Sequence, residues 1–99
     1  MIEKQRAAKN ILNKFRGFLF ENCDSLETHS NPKTQKNLLL GYKKSLKNNV
    51  RENLPVLDDN DQKRIQVILE TVLSKEKENI LTSRGDILTS VEAILKRYE

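Results

Sequence analysis

The sequence predicts an all-α protein, an antiparallel four-helix bundle folding as a single domain over residues 1–99. Three observations carry that expectation. Apolar residues recur at helical spacing in four separate segments. Gly and Pro are scarce, three and two in 99 residues, while Leu, Lys, Glu and Asn are abundant. No segment shows strict apolar–polar alternation with β-branched enrichment, so no strand is needed.

The first stripe is Ala8, Ile11, Leu12, Phe15, Leu19, Cys23 and Leu26, which predicts a helix from about residue 3 to 27. Phe18 and Phe20 widen its apolar arc, so this helix should touch two neighbours. Ser30-Asn31-Pro32 then breaks the chain. Asn31 is a good N-cap, and Pro32 suits the first helical position because its missing N–H would have no partner there anyway. The second helix should run from about 32 to 53 on the stripe Leu38, Leu39, Tyr42, Leu46 and Val50, ending before Pro55. Gly41 inside it costs about 1 kcal/mol relative to Ala, which suggests close backbone approach by another helix.

Asp58-Asp59-Asn60-Asp61 precedes the third stripe, Ile65, Ile68, Leu69, Val72 and Leu73. Asp59 is the expected cap, with Gln62 in the capping-box position and the acidic cluster complementing the helix dipole. Lys75 to Asn79 should continue the helix or fray. The last helix is expected after Ser83 as cap, on the stripe Ile87, Leu88, Val91, Ile94, Leu95 and Tyr98. Narrow stripes of this kind are unstable alone and close together as a bundle, and short connections favour antiparallel neighbours.

Several chemistries fit poorly. Read as a calcium loop from Asp59, the acidic run has Lys63 at a ligand position and Arg64 where glycine is required. Arg84-Gly85-Asp86 spells an adhesion tripeptide at an expected helix start, a chance match. There is one histidine, His29, and one cysteine, Cys23, so neither a catalytic triad nor a metal site with paired ligands can be composed from them. Cys23 reads as a small buried hydrophobe in a reducing compartment. The expectation is therefore no enzyme, no cofactor and no metal. Apolar runs reach only three residues, such as Leu38-Leu39-Leu40, and the N-terminus lacks a signal-peptide pattern, so a cytoplasmic protein is expected.

Charge is the informative feature. The net charge is +4, yet residues 1–50 carry ten Lys/Arg against four Asp/Glu, and residues 51–99 carry eight against ten. Lys33, Lys36, Lys43, Lys44, Lys47 and Arg51 form a block without an acidic residue, the candidate binding face. Such a block suits an anionic partner: a membrane surface, nucleic acid or an acidic protein. Low aromatic content leaves no visible base-stacking platform, and no helix-turn-helix spacing is evident.

Leu39-Leu40-Gly41-Tyr42-Lys43-Lys44-Ser45-Leu46-Lys47-Asn48, followed by the connection Leu54-Pro55-Val56-Leu57, resembles the second helix of the immunity proteins of class IIa (pediocin-like) bacteriocins. The four-helix layout extends the resemblance over nearly the whole chain, which departs from the family in a last helix reaching almost to Glu99. The resemblance implies a cytosolic, non-enzymatic binder, peripheral at the inner membrane face. It would protect the producing cell by engaging a membrane permease of the mannose phosphotransferase type once bacteriocin has bound there. It also implies that the C-terminal half selects the bacteriocin, here the region of Thr82, Ser83, Arg84 and Asp86. Attraction of the basic block to an anionic inner leaflet, about 1 kcal/mol per Lys or Arg near the surface, would hold the protein beside that receptor. Two other readings compete: a nucleic-acid-binding or phage-type accessory protein using the same basic helix, and a helical adaptor using the wide arc around Phe18 and Phe20.

Overall fold

The computed structural model describes residues 2–99. Four helices form the predicted antiparallel bundle. Helix α1 occupies residues 2–26: it is α-helical over Ile2–Arg16, π-helical over Gly17–Asn22 and α-helical again over Cys23–Leu26. Helix α2 is Pro32–Asn53, α3 is Asp59–Ser74 and α4 is Lys77–Leu95. Short 3₁₀ turns follow α2 at Leu54–Val56 and α4 at Lys96–Tyr98. Helix α1 packs between α2 and α4, and α3 packs chiefly on α4. The bundle measures 45 × 22 × 19 Å.

The π segment answers a problem posed by the α1 stripe. Phe15, Leu19 and Cys23 are spaced by four, and four residues of α-helix overshoot a full turn by about 40°. Two such steps would carry Cys23 about 80° from Phe15. A π turn spreads each turn over more residues and cancels the drift. Phe15, Phe18, Leu19, Cys23 and Leu26 are accordingly all buried in one core. Burial pushes the Cys23 thiol above its ordinary pKa, as for a packed and unreactive side chain.

The start of α2 follows from its first residues. Asn31 is extended, and its Oδ1 accepts hydrogen bonds from the backbone N–H groups of Lys33 (2.9 Å) and Thr34 (3.4 Å). Pro32 occupies the first turn, and the helix gives way to the 3₁₀ turn containing Pro55. Leu39, Leu46 and Val50 are buried, while Leu38 and Tyr42 are half-buried at the margin of the core. Gly41 does not serve a close approach: a Cβ placed there would meet nothing within 4 Å.

Two helix starts differ from expectation. Helix α3 is capped by Asp58 rather than Asp59, and that cap makes no side-chain bond to the helix. Its carboxylate is drawn off by Lys4, 2.6 Å away, and by Arg97 at 3.5 Å. Gln62 donates outward to the carbonyl of Leu57 (2.7 Å) instead of closing a capping box. Helix α4 begins at Lys77, not after Ser83. Lys75 and Glu76 are both extended, which ends α3 and starts α4 within two residues. Ile80 is fully buried and extends the α4 stripe two turns back from Ile87, so packing moves the helix start toward the N-terminus. Ser83 is an interior residue whose hydroxyl donates to the carbonyl of Asn79, four positions earlier (2.5 Å).

Candidate binding face

The six cations of the basic block all lie on α2. At about 100° per residue, Lys33, Lys36, Lys43, Lys44, Lys47 and Arg51 fall within an arc of about 100°. That arc borders the buried stripe of Leu39, Leu46 and Val50, its centre about 90° round the helix from theirs, with Lys43 nearest the core. Lys33, Lys36, Lys44 and Arg51 are exposed, and Lys43 and Lys47 are half-buried. The burial pattern separates the faces because the apolar stripe of α2 must reach α1 while the cations retain their hydration.

Lys43 differs from the other five. Its Nζ donates to the carbonyl of Lys75 at 2.5 Å, tying α2 to the connection between α3 and α4. Burial pulls its ammonium pKa below the ordinary value, and nearby Glu76 opposes that shift. Lys77 makes a parallel tie, with Nζ 3.0 Å from Gln35 Oε1. Between these ties runs a groove of about 590 Å³ whose walls include Lys36, Leu39 and Leu40. Among the described residues, the side chains of Lys33, Lys36, Lys44, Lys47 and Arg51 make no ion pair. Lys43 therefore serves the fold, and five cations remain for an outside partner. Leu40 sits inside their arc and is 57% exposed.

The four residues expected to select a partner do not form a loop and do not converge. All lie inside α4. The hydroxyls of Thr82 and Ser83 both bond back to the Asn79 carbonyl. Arg84 occupies an apolar-stripe position, four residues after Ile80 and three before Ile87. Its guanidinium lies 5.0 Å from the ring centre of Phe20 and 2.8 Å from Asp24 Oδ1, so it joins α4 to α1. Asp86 is exposed on the side of α4 that carries Thr82 one turn earlier, away from Arg84, beside a shallow depression it shares with Val67, Ile68 and Ile87. The Arg84-Gly85-Asp86 tripeptide is helical, with no loop to present it.

A second polar cluster escaped the sequence reading. Asp61, expected only to complement the dipole of α3, is fully buried. Its Oδ2 accepts from the Tyr98 hydroxyl (2.5 Å) and lies 3.2 Å from Arg97. Its Oδ1 has no hydrogen-bond partner, and the Arg64 guanidinium stands 4.0 Å from it. The Tyr98 oxygen in turn accepts from the Asp58 backbone N–H (3.1 Å). The hydrogen bond from Lys4 holds the Asp58 carboxyl below the usual carboxylate range. This cluster clamps the chain end to the start of α3 and to α1. Its members are engaged with one another, which marks it as a structural lock.

No helix is long and apolar enough to cross a membrane among the described residues. Among the same residues, no group of three His, Cys, Asp or Glu side chains is placed to hold a metal ion. No family model matches the chain, and no curated protein or solved structure matches it.

Proposed function

We propose that the chain is an immunity protein of the pediocin-like kind: a non-enzymatic binder that protects its cell from a class IIa bacteriocin at a membrane permease receptor. The observation that carries this reading is the edge of α2, where five cations that make no ion pair among the described residues share one face, with no acidic residue on the helix between Lys33 and Arg51 and with Glu76 and Glu78 across the adjoining groove. Charges arranged this way and left unpaired suit a reversible anionic contact rather than bundle stability. The helical bundle and the α2 sequence agree with the family resemblance. Arg84 bridges α1 and α4 in this reading, and the partner-selecting surface is the exposed side of α4 around Thr82 and Asp86.

Expression of the chain in a bacteriocin-sensitive strain tests the proposal. The expected result is survival against at least one class IIa peptide from a panel. Killing by the whole panel at the level of an empty vector overturns it.

A further inference from the structure

We propose that the outer edge of α2 docks on an anionic phospholipid bilayer with Leu40 as its apolar anchor. The inference rests on the functional reading above only for the choice of face.

Leu40 has Lys36 and Lys44 one helical turn away on either side, and Lys43 and Lys47 lie on the same flank. A lone exposed leucine means little on a protein surface. This one is 57% exposed at the middle of a row of cations, on a helix that runs uninterrupted from Pro32 to Asn53. The row from residue 33 to 51 covers about 27 Å at 1.5 Å per residue. Its five free cations can therefore meet a flat surface together, while Lys43 stays tied to the Lys75 carbonyl.

The pairing of charge and leucine chooses the occupant. A bilayer offers lipid phosphates to the ammonium groups and, just beneath them, an apolar layer to the leucine. Long lysine stems support that geometry, since they can lie along apolar material while their heads stay at phosphate level. A nucleic-acid backbone would satisfy the cations but leave Leu40 in water. The half-buried Tyr42 is turned to Ser25, its hydroxyl 3.5 Å from Ser25 Oγ, and so offers no stacking platform on this face.

The chain contains no tryptophan, so Leu40→Trp places a single fluorescent reporter at the anchor point. The site is exposed, and far-ultraviolet circular dichroism checks that the bundle is kept. With vesicles containing phosphatidylglycerol at low salt, its emission should move to shorter wavelength and its quenching by iodide should fall. Neither change should occur with pure phosphatidylcholine vesicles, nor with Val67→Trp on α3. In sedimentation with the anionic vesicles, Leu40→Asn should weaken partitioning about tenfold. Lys44→Gln should weaken it about fivefold, and high salt should release the native chain. The proposal is overturned if the native chain fails to partition at low salt, if Val67→Trp responds as strongly as Leu40→Trp, or if Leu40→Asn binds like the native chain. Tight binding to duplex DNA without vesicle binding would assign the face to nucleic acid and also overturn it. Vesicle binding without protection of a sensitive strain would remove the immunity reading and keep this one. Protection without vesicle binding would do the reverse.

Discussion

The hydroxyl of Tyr98 donates to the buried carboxylate of Asp61, 37 positions earlier in the chain. Through this bond the last turn of the molecule closes on the first turn of α3. The same oxygen accepts the N–H of Asp58, so one side chain serves two groups at the helix start. Arg97 reinforces the contact from outside, reaching both Asp58 and Asp61. The antiparallel bundle is thereby fastened at the end where Lys4, Asp58 and Tyr98 meet.

Tyr98→Phe keeps the ring in the core and removes only the oxygen. Asp61 would then lose its tyrosine donor while its other oxygen is already without a partner. The expected loss is about 1–3 kcal/mol, read as a lower urea midpoint with an unchanged slope. Asp61→Asn in the Tyr98→Phe background should cost less than in the native chain, because the two residues act as one pair.

Alkaline pH tests the same contact. Burial raises the Tyr98 pKa above its ordinary value of 10.0, and the bond to Asp61 adds to the shift. The unfolded chain therefore releases this proton first, and stability should fall as pH rises above about 10. Urea midpoints measured through that window should fall more steeply for the native chain than for Tyr98→Phe. The late component of the tyrosinate absorbance titration should disappear in the variant.

At Asn31, the side chain supplies two hydrogen bonds to the start of α2. Asn31→Ala should cost about 1 kcal/mol. Asn31→Ser should retain most of the stability, which separates loss of the cap from a general effect of substitution.

Gly41→Ala should stabilise the protein by up to about 1 kcal/mol. The position is exposed in the interior of α2, and a methyl group there meets no neighbour within 4 Å. A higher melting temperature is the expected readout. A loss of stability would indicate a contact on this face in solution.

Local signals in the sequence were legible where local chemistry decides the structure. Asn31-Pro32 and Pro55 marked the ends of α2 because capping and backbone restriction depend on adjacent residues. The periodic stripes identified four helices because one face of each must be buried. The start of α4 was obscured by Arg84: a cation at a stripe position interrupts the apolar pattern, and its place over Phe20 depends on α1. Ile80 was the available signal for the earlier start. Asp61 was hidden for a related reason, since an acidic run before a stripe resembles a cap and its burial depends on a tyrosine far along the chain. For the candidate face, the cations were legible as composition. Withdrawal of Lys43 to the Lys75 carbonyl and exposure of Leu40 among the rest required the packed structure.

The most direct measurement compares survival of a bacteriocin-sensitive strain producing the native chain with one producing the combined variant Lys33→Gln, Lys36→Gln, Lys44→Gln, Lys47→Gln and Arg51→Gln at matched levels of folded protein. Lys43 is left in place because it holds the bundle. The native chain should protect against at least one class IIa peptide, and the uncharged edge should lose most of that protection. Full protection by the variant, or none by the native chain, would contradict the role assigned to α2.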